Sequence, residues 1–128
     1  MHKPITGHLP GGYQRKAHDW AFETVGERAA VSSTERGLRF LEEAIELAQA
    51  CGVTWHNAMT VAAGVYDRPP GRVSQEVGGT MLTLGALCEA IDVDMIDAAI
   101  DELNRVNTPE VIAKVRARQA EKIHQWTR

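Results

Sequence analysis

The stretch RGLRFLEEAIELAQACG, residues 36–52, decides the fold class. Leu38, Leu41, Ile45 and Ala48 recur at intervals of three and four, the spacing that puts side chains on one face of an α-helix. Arg39, Glu42, Glu43 and Glu46 occupy an arc beside that apolar stripe. Just upstream, Ser32-Ser33-Thr34-Glu35 forms a capping box, in which a serine hydroxyl takes a free backbone N–H and Glu35 reaches back. Gly52 supplies the C-terminal stop, so a helix is predicted from the capping serines to about Cys51.

The same signals repeat in both directions. Residues 1–12 hold two prolines and three glycines with little apolar content and read as a flexible N-terminal arm. Tyr13, Ala17, Trp20 and Ala21 predict a first helix over Tyr13–Val25, stopping near Gly26. Thr54 caps a third helix through Tyr66, and Asp67-Arg68-Pro69-Pro70-Gly71 is a loop no helix crosses. Val73 to about Ile91 is apolar nearly all round and is expected to sit centrally. Gly78, Gly79 and Gly85 each weaken it by roughly 1 kcal/mol against alanine, which close helix contact or ligand approach would justify. Asp94 with Asp97 caps a fifth helix reaching Val106, and Thr108-Pro109 opens a basic last helix over Glu110–His124. No strand pattern or repeat occurs. The predicted fold is all-α: one compact helical bundle of five to six helices over residues 13–128.

Composition narrows the function classes. A chain of 128 residues fits one domain burying roughly two-thirds of its unfolded surface. The formal net charge of −3 offers no overall basic surface for nucleic acid, although Lys114, Arg116, Arg118 and Lys122 lie close together. The start of the sequence lacks the apolar stretch of a secretory signal, and no run suits a membrane span, so a cytoplasmic location is expected, in a cell or a phage-infected host. Cys51 and Cys88, at the ends of apolar helical runs, read as free buried thiols.

The acidic arc is where chemistry enters. Carboxylates crowded beside an apolar stripe repel one another unless a cation or base sits among them. Glu76 is the only acidic residue between Val73 and Cys88, and if buried it must be paired or coordinated. Two readings stand for Glu76: a metal ligand with the acidic arc, or a helix-start residue near Ser74. For the arc, the alternative is a solvated, ion-paired face. An all-carboxylate donor set suits hard cations such as Mg²⁺ or Mn²⁺, and through them phosphate chemistry, rather than zinc.

These residues carry a resemblance. Glu42-Glu43-x-x-Glu46 followed by Glu76 on a later helix resembles the MazG-like all-α nucleoside triphosphate pyrophosphohydrolases, which carry E-E-x-x-E and then E-x-x-D. AHDWAF, Ala17–Phe22, is similar to the family's first helix, and the helix order matches from about Tyr13 to Arg105. The resemblance implies hydrolysis of a nucleoside or deoxynucleoside triphosphate to the monophosphate and pyrophosphate, with Mg²⁺ or Mn²⁺. It makes Glu43, Glu46 and Glu76 metal ligands. Glu42 becomes a further ligand or the group that orients or deprotonates the attacking water. One departure stands out: Gly79 occupies the place of the motif's aspartate. Fewer protein ligands with more water, a carboxylate from elsewhere such as Asp101 or Glu102, or an inactive enzyme would each follow. Asn104 and Asn107 both lie near the family's later asparagine.

Among other residues, Arg39 reads either as a phosphate contact or as an ion-pair partner of Glu35, Glu42 or Glu43. Trp20 reads either as core or as a base-stacking platform, and Trp55 has the weaker claim to stacking. The sequence carries no base-reading code; a purine such as dGTP is suggested only by phage-borne members of that family. The competing classes are a non-catalytic oligomerisation or nucleotide-binding domain and a helix-turn-helix DNA binder over residues 54–71 or Leu82–Ala99. The acidic balance speaks against the DNA binder. A homo-oligomer, dimer or tetramer, is expected because so apolar a helix set completes its core against a partner subunit.

Overall fold

A computed structural model describes residues 12–126, with side chains to residue 122. Apart from Gly12, the N-terminal arm lies outside the described residues. Six helices follow one another: α1 (Tyr13–Val31), α2 (Ser33–Ala50), α3 (Trp55–Tyr66), α4 (Val73–Ala90), α5 (Met95–Val106) and α6 (Pro109–Trp126). Among the described residues there is no strand, and no helix is long and apolar enough to cross a membrane.

Local chemistry sets the boundaries. The Ser32 Oγ accepts from the Glu35 N–H at 3.3 Å, and the Thr54 hydroxyl from the Asn57 N–H at 3.2 Å. The Asp94 carboxylate accepts from the Asp97 N–H at 2.9 Å, and the Thr108 hydroxyl from the Val111 N–H at 3.4 Å. Each bond satisfies one of the four donors a helix start leaves open, worth about 1 kcal/mol. The ends of α2 and α4 close alike. Val53 N–H donates to Ala48 O at 3.0 Å and Gly52 N–H to Gln49 O at 3.0 Å; Val93 N–H donates to Cys88 O at 2.9 Å and Asp92 N–H to Glu89 O at 3.4 Å. That closure needs a left-handed residue. Gly52 (φ 91°) supplies it after α2 and Asp92 (φ 56°) after α4.

The first helix differs from expectation beyond Gly26. Gly26 is itself non-helical (φ 81°, ψ 168°), so the break is where the sequence puts it, but helix resumes on the far side to Val31. The resumption is held by burial: Ala29 and Ala30 are among the most buried residues of the chain.

The helices fall into two compact units. One holds α1, α5 and α6; the other, Ser32–Val93, holds α2, α3 and α4. In the first unit α6 packs on α1 and α5. Ala21, Thr24, Ala29, Ala30, Ile112 and Gln119 are buried among its described residues, and the small side chains on α1 let a neighbouring helix approach closely. Side chains tie distant backbone together there. Tyr13 Oη donates to Ala99 O at 3.0 Å, Trp20 Nε1 to Val106 O at 3.1 Å, and the Arg116 guanidinium twice to Glu23 O at 3.0 and 2.8 Å.

The second unit is built otherwise. Cys88 is its only buried residue. The α2 stripe is not enclosed, with Leu41 and Ile45 exposed and Leu38 and Ala48 half-buried, and α4 is not central within its unit. Periodicity fixed which residues share a face, but α2, α3 and α4 by themselves do not cover those faces. Of the two free thiols, Cys88 is buried as expected and Cys51 is exposed, because it follows the last turn of α2 at the uncovered helix end.

Candidate functional site

The acidic arc lies within α2. Regular helix from Ser33 to Ala50 places Glu42 and Glu46 four apart and Glu43 and Glu46 three apart, with Glu42 half-buried and the other two exposed. Arg39 stands one turn earlier, and its guanidinium meets the Glu42 carboxylate at 2.6 Å. Of the two readings of Arg39, the ion pair is the one formed. It is a charge-assisted contact on a partly covered face, so it holds the Glu42 side chain toward the helix N-terminus. Next to it, burial lowers the Arg36 pKa, the Glu35 charge opposing that shift and the Arg39 charge adding to it. The face therefore alternates sign along its length, cationic at Arg36 and Arg39 and anionic from Glu42 to Glu46.

Glu76 sits in the first turn of α4. Its carboxylate folds back over the preceding loop, where a Cβ on Gly71 would collide with Glu76 Oε1. A side chain at residue 71 would make the Glu76 carboxylate turn elsewhere. The Arg72 N-cap makes no side-chain capping bond, and Glu76 N–H donates to Arg72 O at 3.0 Å. Ser74 is thus inside the helix rather than capping it. Gly79, in the place of the motif's aspartate, has open space where a side chain would begin.

Among the described residues, no three His, Cys, Asp or Glu side chains are gathered as a metal-holding group. Glu42, Glu43 and Glu46 share a helix face, and Glu76 belongs to the same unit but points to its own loop. Asp101 and Glu102, considered as replacements, lie in the other unit, where Glu102 pairs with Arg105. The donor chemistry of the α2 arc, three carboxylates within little more than one turn, suits Mg²⁺ or Mn²⁺. The fourth carboxylate is not placed with them.

The first unit holds a cleft of about 390 Å³ that sequence reasoning missed as a cavity. Tyr13, Lys16, Trp20, Asn104 and Asn107 are among its lining residues. Both asparagines singled out on α5 and its C-cap therefore share one hollow with the first-helix aromatic. Trp20 is half-buried, with its N–H committed to Val106 O, so the ring edge is anchored while the residue lines the cavity. Its size falls in the range of small-molecule sites, and aromatic rings with a few amides and charges are their usual lining. Trp55 is 78% exposed at the start of α3 and lines no such cavity among the described residues. The signal that marks the cleft in the sequence is the pairing of Tyr13 and Trp20 at helical spacing with Asn104 and Asn107, but nothing local shows that the two segments meet.

No protein-family model matches this chain, and no curated protein or solved structure matches it either.

Proposed function

We propose that the protein is a metal-dependent nucleoside or deoxynucleoside triphosphate pyrophosphohydrolase, acting as a homo-oligomer and releasing pyrophosphate from the nucleotide. The observation that carries the reading is the carboxylate arc of α2: Glu42, Glu43 and Glu46 on one face, bordering an apolar stripe, with one member already oriented by Arg39. The all-helical order of elements agrees with the resemblance noted in the sequence.

In this reading Glu43, Glu46 and Glu76 would hold Mg²⁺ or Mn²⁺, Glu76 by turning away from the loop before α4. A bound divalent ion would supply charge neutralisation at the phosphates and a lowered pKa for its water. Glu42 orients the attacking water and accepts its proton, and Arg39 keeps that carboxylate in one rotamer. Arg39 is also close enough to the arc to meet a phosphate oxygen when Glu42 turns toward water. The base is left open by the residues present, with purine deoxynucleotides the first to be tried.

The test is a pyrophosphate-release screen over the common NTPs and dNTPs, with Mg²⁺ and with Mn²⁺. Release from at least one nucleotide is expected, abolished in Glu46→Gln and in Glu76→Gln with the helical circular dichroism unchanged. Near-wild-type turnover in both variants refutes the assignment of those carboxylates. Silence across the whole screen, with either metal, refutes the hydrolase.

A further inference from the structure

We infer that the cleft between α1 and α5 binds a basic amino acid as its zwitterion, with the carboxylate of the amino acid at Lys16 and its side-chain cation at Glu23. The inference rests on the lining of a single unit and stands independently of the hydrolase reading.

Lys16, Trp20 and Glu23 line the cleft from α1, with Tyr13 at the start of that helix. Positions three, four and seven apart share a helix face, so they form one stripe, about 10 Å long from Lys16 to Glu23. Ile100, Leu103 and Asn104 recur at the same spacing on α5, and Asn107 follows at its C-cap. Two aromatic side chains reach from α1 to α5 with their polar atoms already committed: Tyr13 Oη donates to Ala99 O at 3.0 Å and Trp20 Nε1 to Val106 O at 3.1 Å. These rings therefore offer a bound molecule apolar and π surface rather than hydrogen bonds. The remaining polar groups are differently placed. Among the described residues, Lys16 and Glu23 take part in no ion pair and the Asn104 and Asn107 amides in no hydrogen bond. Asp19, which also lines the cleft, meets Arg15 at 3.6 Å with both side chains largely in water, a contact that contributes little.

The order of charges along that stripe selects the occupant. The lining carries two carboxylates, Asp19 and Glu23, against one ammonium, Lys16. A polyanion such as a nucleoside triphosphate is repelled by that balance, and a diamine would set one of its cations against Lys16. A basic amino acid matches each group in turn. Its carboxylate meets Lys16, its α-ammonium meets Asp19 one turn on, and its side-chain cation meets Glu23 one turn further. From Asp19 to Glu23 the helix rises about 6 Å, the span of an extended lysine or arginine side chain. Trp20 lies within that span, and with Ile100 and Leu103 it takes up the methylene stem while its ring face attracts the cation. The Asn104 and Asn107 amides supply acceptors for the N–H groups left over. A volume of about 390 Å³ admits one such molecule and lies toward the small end of ligand pockets.

The experiment is a calorimetric titration of the full chain, without nucleotide or metal, with L-arginine and with two analogues that each lack one end. Agmatine has no carboxylate, and citrulline has an uncharged side chain. L-Arginine should bind with a dissociation constant of about 1 mM or less, and each analogue about 5- to 10-fold more weakly. Lys16→Met should abolish the preference over agmatine and keep that over citrulline; Glu23→Gln should do the converse. Both positions are exposed, and Glu23 keeps its backbone oxygen for Arg116, so thermal unfolding of the two variants should match that of the unaltered chain. Absence of arginine binding up to about 10 mM overturns the inference. So do analogues that bind as tightly as arginine to the unaltered chain, or variants that leave both preferences in place. Displacement of arginine by dGTP without metal would overturn it as well, by assigning the cleft to the nucleotide. Because no turnover is measured, failure of the hydrolase reading leaves these titrations unchanged.

Discussion

Replacing Gly26 by alanine tests the break in α1. At φ 81° and ψ 168°, Gly26 occupies a region that L-residues avoid, and a Cβ there meets no other atom within 4 Å. The cost of Gly26→Ala is therefore a backbone cost, about 1–3 kcal/mol, not a clash. Relief by straightening the helix is blocked on both sides. Before the break, Trp20 is bonded to Val106 O, Thr24 is buried, and Arg116 clamps Glu23 O. After it, Ala29 and Ala30 are each 6% exposed, and moving them into water would cost about 0.8 kcal/mol per methyl group. Both routes thus lie in the same range. Alanine also stiffens the unfolded chain, which returns about 0.4–1 kcal/mol to the folded-state balance. The net expectation is a loss of about 1–2 kcal/mol, read as a fall of about 1 M or less in the urea midpoint at unchanged m. A D-alanine placed at the same position by chemical ligation mirrors the backbone preference, fits the observed angles and should raise the midpoint instead. An L-alanine variant as stable as wild type, or L- and D-alanine variants of equal stability, would refute the argument.

Other expectations follow from single contacts. Asp92→Gly should stabilise by about 0.5–1 kcal/mol in thermal unfolding, because Asp92 holds a left-handed conformation (φ 56°) that glycine adopts without steric cost; no gain would count against that closure of α4. Trp20→Phe removes the donor to Val106 O and part of the cleft wall, and denaturation should show a loss of about 1–2 kcal/mol. For Glu102, the hydrogen bond from Arg105 is the main cause of a carboxyl pKa below the ordinary range. Because the folded-state value is the lower one, its stabilisation is complete above the unfolded-state pKa and fades as pH falls through the folded-state value. The pair is solvent-exposed, so Glu102→Gln should cost no more than about 0.5 kcal/mol at neutral pH and nothing at a pH below both values, measured by urea titrations at each pH.

The carboxylate site divides legibility in the sequence from what lay outside it. That Glu42, Glu43 and Glu46 share a face is a consequence of 3.6 residues per turn, and α2 displays it. The Arg39–Glu42 pair was one of two readings, and a spacing of three residues brings the groups within reach without choosing between them. Where Glu76 points was not legible at all. Its carboxylate lies over Gly71 in the loop before α4, a contact five residues away and outside any helical period. The cleft was hidden for a stronger reason: Trp20 and Asn104, which both line it, come from helices far apart in the chain.

Helix boundaries belong to the sequence. Ser32, Thr54, Asp94 and Thr108 cap where their side-chain oxygens are three residues from a free N–H, and Gly26 and Gly52 interrupt where only glycine accepts the backbone. All of that chemistry acts within about one turn, so local order is enough to write it. Burial is different, because it depends on what arrives from elsewhere. The stripe of α2 and the apolar girth of α4 looked like core from their periodicity, yet among the described residues the buried ones other than Cys88 gather on α1 and α6. Tertiary structure alone decides which apolar face is covered, since a side chain leaves water only when another surface reaches it.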